Sequence, residues 1–193
     1  EEAQNIQNYS YDNMKNDPLL LKDMDKLVER LLIAKENNEH ITIFWDFDCD
    51  WVSWIAVILK WLRYLWFENI DYIVPDRKIW YSIQTEYVEK YLVNNNKPDL
   101  IITVDCWIKS ITDIKYIVNV IWIDVIITDH HLIGIDNVSK KMILPTDAIA
   151  IVNHKRNDCL YPNKDMSWSF VALKVIEALS QSINLIDWPD WDP

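Results

Sequence analysis

The hydrophobic pattern of the chain alternates between helical and strand periods. Residues 19–37 repeat apolar positions at helical spacing and predict an amphipathic helix. Runs of apolar, β-branched residues predict strands at 41–50, 70–76, 100–106, 123–131 and 148–154, and further helices are predicted at 52–66, 82–95, 109–121 and 166–183. Strands that are apolar on both faces and alternate with helices indicate a parallel sheet covered on both sides. We therefore predict an α/β fold, a doubly wound, mainly parallel five-stranded sheet with helices on both faces.

The ends of the chain differ in composition from its middle. Residues 1–18 are polar and rich in Asn, and we expect a surface arm there. The predicted helices and strands fill residues 19–183, which we expect to form one domain, followed by a tail over 184–193.

Charge and cysteine content narrow the classes of protein. Lys and Arg number 19 against 30 Asp and Glu, a net charge of −11, which argues against a broad basic face for gripping nucleic acid and suits a protein that collects carboxylates around metal ions. No apolar run approaches a membrane span, and the first residues lack a signal-peptide pattern. Three cysteines without metal-finger spacing predict a reduced, cytoplasmic chain.

Three aspartates mark the place where the first predicted strand runs into a loop. At strand periodicity Asp46, Asp48 and Asp50 share one face, while Phe47 and Cys49 point to the other. Three carboxylates on one face repel one another strongly unless a cation or a proton lies among them. The alternative is an acidic turn whose carboxylates are all solvated, and the cluster alone would favour it.

Two further predicted strands end in residues that could join these acids. Asp105 follows the apolar run LIITV, and Asp129-His130-His131 follows DVIIT. Because the carboxyl ends of parallel strands form the ligand crevice of an open sheet, we predict that these groups meet at a dinuclear metal site. Asp and His ligands favour Mn²⁺ or Mg²⁺ over structural zinc, and the imidazole favours manganese. Two such ions suit the hydrolysis of a phosphate ester.

These residues resemble the motifs of the DHH phosphoesterases. DFDCD, VDC and TDHH stand in this order at the ends of predicted strands. Within that superfamily the chain is most like the RecJ-type single-strand DNA exonucleases: IVPDRKIWYS resembles their second motif, and IVNHKRNDCLYPNKDMSWSFVALK the stretch after their DHH motif. The resemblance runs from about residue 17 to 180 and implies that residues 19–183 form a DHH catalytic domain.

The resemblance implies a role for each candidate residue. Asp105 would bridge two metal ions, His131 would meet the scissile phosphate, and Asp129 would orient the site from behind the ligands. The implied metal ligands are Asp46, Asp48, Asp50, Asp105 and His130, and the implied catalytic residues are Asp129, His130 and His131. Weaker candidates for contact with substrate phosphate, each as well explained as a cap or a surface charge, are Ser53, Arg77 and Arg156. We assign structural positions to His40, His154, Cys49 and Cys106.

The implied function is a 5′→3′ exonuclease that hydrolyses single-stranded DNA to nucleotides with two divalent ions, Mn²⁺ or Mg²⁺. The alternatives are an oligoribonuclease or a cyclic-dinucleotide phosphodiesterase of the same superfamily, or a non-catalytic replication scaffold. Single-stranded DNA or a short oligonucleotide is the expected partner, and a membrane is not. RecJ-type enzymes continue into a further metal-binding Asp and a second domain with a glycine-rich His motif, and residues 184–193 match neither. We expect that domain, or a partner, to close the cleft.

Glycine and tryptophan occur in unusual numbers, 1 and 11. Average usage would give roughly 7 % glycine. Tryptophan stands where the family commonly has glycine at positions 45, 51, 54, 61, 66, 80, 107, 122 and 168. An indole after Asp50 or Asp105 would crowd the cleft and force positive φ, where glycine is favoured. Our hypothesis is that the two residue types are interchanged in this sequence, with Gly134 taking the place of the single Trp.

Overall fold

The computed structural model describes residues 16–45, 51–73, 89 and 96–183, without the side chains of 45 and 51–57. Its strands are β1 Ile41–Trp45, β2 Ile70–Ile73, β3 Leu100–Val104, β4 Asp124–Thr128, β5 Gly134–Ile135, β6 Met142–Ile143 and β7 Ala150–Val152. Its α-helices are α1 Met24–Glu36, α2 Trp51–Tyr64, α3 Ile111–Tyr116 and α4 Trp168–Ser182. The predicted helix 82–95 and the predicted arm and tail fall almost wholly outside these residues.

The element boundaries differ from the predicted ones for local reasons. The first helix begins later than predicted because Asp17 caps a separate 3₁₀ turn at Pro18–Leu20, and the left-handed Asp23 then restarts the chain as α1. The helix predicted at 109–121 is helical only in part as α3, since its last turn widens to a π-helix at Ile117–Ile121. The short hairpin of β5 and β6 has no apolar run of its own and was not predicted.

Five parallel strands form the central sheet in the order β2-β1-β3-β4-β7. The chain first moves outward from β1 to β2, then returns to the other side of β1 at β3 and continues to β4 and β7. The strand order therefore reverses between β1 and β3, which is where open α/β sheets bind ligands. The predicted α/β fold is confirmed.

Alternating side chains of the strands supply a core on each face of the sheet. One core joins α1 and α4 to the inward residues of β1, β3, β4 and β7, such as Ile43, Ile102 and Ile126. The opposite core joins α3 and the π-helix to the intervening strand residues, such as Ile101 and Ile127. Because both faces are covered, the inner strands are mainly apolar and hold only the buried threonines Thr42 and Thr103 in their interior, while the edge strand β2 carries the exposed Asp71. Among the described residues, no helix is both long and apolar enough to cross a membrane.

Three tryptophans stand in the left-handed backbone region. The φ angles are 61° at Trp66, 75° at Trp107 and 61° at Trp122. Trp66 follows the end of α2, and Trp122 ends the π-helix, both places where helices commonly terminate in glycine. Gly134 lies in β5 without positive φ, and a Cβ there would meet only Ile143 at 3.6 Å. These backbone conformations support the glycine assignment at three of the tryptophan positions and show no need for glycine at 134.

Candidate metal centre

The turn that follows β3 combines strain with close tethering. Asp105 has a φ of 59° and Trp107 a φ of 75°, so two residues out of three are left-handed. The turn is held because Thr103 Oγ1 donates to the Cys106 carbonyl at 3.2 Å and the Asp105 N–H donates to the Thr128 carbonyl at 2.9 Å. Strained backbone that its surroundings hold in place is typical of a functional site.

Asp105, His130 and His131 converge beside this turn. Nε2 of His130 lies 3.0 Å from Oδ1 of Asp105, and Nδ1 of His131 lies 3.6 Å from the same oxygen. One ligand atom from each residue lies within 4.8 Å of the other two, which is the spacing of side chains around one cation. The predicted meeting of strand ends thus occurs for β3 and β4.

The chemistry of the Asp105 carboxylate fits a metal ligand. Its Oδ1 is buried and has no aligned hydrogen-bond donor among the described residues, although His130 lies at ion-pair distance. A buried polar atom without a partner is costly, and a divalent cation would satisfy it. The contact with Asp105 raises the pKa of His130 above its ordinary value, while burial opposes that shift. The carboxylate thus stabilises positive charge at this position.

Asp129 lies behind this cluster and connects its two loops. The carboxylate is fully buried, and its Oδ2 accepts the Ile108 N–H at 3.1 Å. Its Oδ1 accepts the His131 N–H at 2.9 Å and lies 2.7 Å from Nδ1 of the same ring. Because a carboxylate can only accept, we assign the proton to Nδ1, which leaves Nε2 of His131 for a ligand or substrate.

Electrostatics at His131 follow from the same contacts. The hydrogen bond that Nδ1 of His131 donates to Asp129 raises the pKa of His131, burial opposes this shift, and the charges of Asp129 and Asp105 add to the increase. The ammonium of Lys109 acts in the opposite direction, so this exposed cation lies close enough to influence the ring.

The remaining candidates fall in different places. Asp46, Asp48, Asp50 and Arg77 lie outside the described residues, and the side chain of Ser53, in α2, is also outside them. The acidic segment nevertheless follows Trp45 directly in the sequence. Trp45 pairs with Val104, and Val104 is the residue before Asp105. The metal-ligand roles of these aspartates and the phosphate contacts of Ser53 and Arg77 stay predictions.

Arg156 occupies a buried ion-pair network. Its guanidinium donates to Asp23 at 2.6 Å, to the Ile151 carbonyl at 2.7 Å and to Asp158 at 2.9 and 2.8 Å. These carboxylates raise the pKa of Arg156, although burial opposes them, and they lower the pKa of Asp158. With its donors taken by protein oxygens, this side chain ties the residue before α1 to the end of β7.

The remaining described cysteines and histidines lie in structural positions. The side chains of Cys106 and Cys159 are buried. His40 is buried at an ion-pair distance of 3.0 Å from Asp71, at the opposite end of the strands. His154 is fully buried and has no hydrogen-bond partner for its ring nitrogens among the described residues. Burial, joined by the charges of Lys155 and His130, lowers its pKa to about 4.

Asn153 is a site residue that the sequence reasoning missed. It is fully buried at the end of β7, and its side chain contacts the His131 carbonyl. In the sequence AIAIVNH it stands within a predicted strand. The feature that could have distinguished it is its polar side chain, which follows an apolar run.

The model of the DHH family, N-terminal domain, matches residues 40–187. The chain belongs to the DHH family. This DHH domain is 34 % identical over 164 residues to the single-stranded-DNA-specific exonuclease RecJ of Bacillus subtilis, covering 84 % of the chain and 19 % of that protein. It is 33 % identical over 171 residues to the RecJ of Escherichia coli, covering 88 % of the chain and 28 % of that protein.

Solved structures share the fold of this DHH domain. A manganese complex of RecJ from Thermus thermophilus aligns with a TM-score of 0.63 and 23 % identity over 85 % of the chain and 22 % of that structure. A second exonuclease RecJ bound to manganese aligns with a TM-score of 0.65 and 24 % identity over 84 % of the chain and 38 % of that structure. The chain therefore spans a minor part of the length of these relatives.

Proposed function

We propose that this DHH domain hydrolyses phosphodiester bonds of single-stranded DNA from the 5′ end, releasing nucleotides, with two divalent ions, Mn²⁺ or Mg²⁺. The observation that carries the proposal is the convergence of Asp105, His130 and His131 on one point beside the reversal in strand order. The names of the RecJ relatives supply the substrate class, and the manganese in the related structures agrees with the donor set.

Asp105 and His130 would hold the ions together with Asp46, Asp48 and Asp50, and Asp105 would lie between the two. Bound ions would supply hydroxide at neutral pH and stabilise the charge that develops on the phosphoryl oxygens. When the ring is protonated, as the raised pKa of His131 favours, Nε2–H can donate to a phosphate oxygen while Nδ1–H stays bonded to Asp129. Asp129 keeps that ring in one orientation, so the contact costs no reorganisation when the substrate binds.

The proposed location in the cell rests on the cysteine content. The chain has three cysteines without metal-finger spacing, as is usual in a reducing compartment, and we propose that the domain acts in the cytoplasm.

Substrate length and chemistry are tested together. The domain, with any sequence that adjoins it in the cell, is incubated with 5′-labelled single-stranded DNA, a dinucleotide and a cyclic dinucleotide, each with Mn²⁺ or EDTA. We expect Mn²⁺-dependent release of labelled mononucleotide from the DNA. Turnover of the dinucleotide or cyclic dinucleotide alone would instead establish a small-substrate phosphodiesterase. No metal-dependent turnover of any substrate would establish a non-catalytic scaffold.

A further inference from the structure

Asn153 contacts two backbone groups at once. Its Nδ2 donates to the His131 carbonyl at 3.0 Å, and its Oδ1 accepts the Lys155 N–H at 2.8 Å. The second contact fixes which end of the amide is oxygen, so the NH₂ group necessarily faces His131. The side chain is fully buried, and both contacts are therefore shielded from water.

The strand pairing explains why this contact is available. β7 pairs with β4 up to the residues Thr128 and Val152, and the Asp129 N–H donates to the Val152 carbonyl at 3.0 Å. Asn153 directly follows the last residue of β7, so it lies beside the loop that follows β4. His131 is consequently held at its N–H and Nδ1 by Asp129 and at its carbonyl by Asn153.

The segment after His131 makes this last contact important. Leu132 is 73 % exposed, and Val138, between β5 and β6, is 92 % exposed. A residue as exposed as Leu132 makes few packing contacts and gives little restraint to the peptide before it. Packing on the core resumes at Ile133, so the Asn153 amide is the contact that holds the His131 carbonyl itself.

We propose that Asn153 is a positioning residue for the reaction, which acts by fixing the His131 peptide and thereby the direction of its imidazole. The inference rests on the proposed function, because it assigns His131 to the substrate phosphate. Groups that orient active-site residues in this way commonly change activity by about 10- to 100-fold when they are removed.

Asn153→Ser separates the two contacts of the side chain. A serine hydroxyl can still accept the Lys155 N–H but is too short to reach the His131 carbonyl as well. Asn153→Asp also keeps the Lys155 contact and turns a carboxylate oxygen towards the His131 carbonyl, which repels it. If Asn153 served the turn alone, both variants would be fully active. Asn157→Asp, at an exposed position of the same loop, is the matched control.

The expected result is a fall in kcat of about 10- to 100-fold for Asn153→Ser and a larger fall for Asn153→Asp, with KM close to that of wild type and of Asn157→Asp. The melting temperature should fall in both Asn153 variants, because a buried residue loses a hydrogen bond, so kcat is measured at a temperature at which both variants are folded. The imidazole ¹⁵N resonances of His131, assigned by their loss in His131→Gln, should shift in both Asn153 variants. An active wild type with unchanged kcat in Asn153→Ser would overturn the positioning role. If wild type proves inactive, the proposed function fails, and unchanged His131 resonances in Asn153→Ser would overturn the positioning role separately.

Discussion

Nδ1 of His131 lies 2.7 Å from Oδ1 of Asp129, and the Asp129 carboxylate is fully buried. The pair joins the loop after β4 to the turn after β3, because the second oxygen of the same carboxylate accepts the Ile108 N–H. A single buried side chain therefore sets both the tautomer of the histidine and the distance between the two loops that hold the candidate ligands. Predictions about the reaction start from this pair.

Asp129→Asn should lower kcat by about 100-fold or more, because an amide offers one acceptor oxygen where Asp129 uses two. An asparagine that turns its NH₂ group towards the ring would also favour the opposite tautomer. The measurement is steady-state hydrolysis of labelled single-stranded DNA with Mn²⁺, with circular dichroism to confirm the fold. Asp165→Asn, at an exposed carboxylate, is the control and should retain wild-type turnover. Equal turnover in the two variants would contradict the role of Asp129.

Asp105→Asn should separate stability from metal binding. In EDTA the variant should melt close to wild type, because the lost contact of Asp105 with His130 is partly exposed and a pair of that kind contributes little to stability. Mn²⁺ at 100 times its dissociation constant should stabilise wild type by about 2.7 kcal/mol, and the variant by much less. Differential scanning fluorimetry with and without Mn²⁺ measures both effects. An equal Mn²⁺ shift in wild type and variant would remove Asp105 from the metal centre.

Trp122→Gly should raise the free energy of unfolding by about 1 kcal/mol, since an L-residue at φ 61° is strained by about that amount or more. The indole is 78 % exposed and loses little packing when it is removed. Val120→Gly, in the same π-helix and also exposed, should instead destabilise by about 1 kcal/mol. Urea denaturation compares the two variants. Destabilisation by Trp122→Gly to the same extent as Val120→Gly would refute glycine-like strain at this position.

The substitution Trp107→Gly has two opposed effects on stability. Its φ of 75° favours glycine, but the indole is 3 % exposed and its ring centroid lies 4.5 Å from that of Phe44. Removal of a large buried side chain costs about 3–5 kcal/mol, which exceeds the strain that glycine relieves. The backbone therefore favours glycine at positions 66, 107 and 122, and at 107 the single substitution Trp107→Gly would also leave a cavity.

Stability should fall between pH 7.5 and 5 through His154. Burial, with the charges of Lys155 and His130, lowers its folded pKa to about 4 against an ordinary value of 6.5, so the unfolded chain binds a proton in this range and the folded chain does not. The linked loss of unfolding free energy is about 2 kcal/mol at about pH 5. His130 and His131 have raised pKa values, so their protonation stabilises the folded chain as the pH falls. A variant that changes only residue 154 keeps both of these histidines, and their effect cancels when it is compared with wild type.

His154→Leu supplies that comparison, because leucine stays neutral at every pH. Urea denaturation of both proteins at the two pH values should show a smaller loss in the variant, by about 2 kcal/mol. The same pH dependence in both proteins would mean that His154 is protonated in the folded chain.

The strands of the central sheet and most of the helices could be predicted because this sheet is buried on both faces, which makes its strands mainly apolar runs followed by polar residues. Because the carboxyl ends of parallel strands meet at one edge of a sheet, the sequence also predicted that Asp105 and the His130-His131 pair lie at the same edge. Local backbone decided the errors: nothing in the apolar pattern distinguishes the left-handed Asp23 before α1, or the π-turn at Ile117–Ile121.

Contacts between side chain and backbone were beyond sequence reasoning. Arg156 follows the motif region like a phosphate-binding cation, but the distant carboxylate of Asp23 and the neighbouring one of Asp158 occupy its guanidinium. Asn153 was hidden in a predicted strand although its amide holds His131. Both roles depend on which segments of the chain contact one another at the end of β7. The hydrophobic periodicity of the sequence predicts helices and strands but not these contacts.

The central claim is that a divalent metal centre lies between the ends of β3 and β4. Crystals of the protein soaked in Mn²⁺ and measured at the manganese absorption edge test it directly, because anomalous difference density locates the ion without assumptions about activity. The account predicts a peak at about 2.2 Å from the Asp105 carboxylate and the His130 imidazole nitrogen, with a second peak beside Asp46, Asp48 and Asp50. Strong manganese density elsewhere, with none at Asp105 and His130, would contradict it.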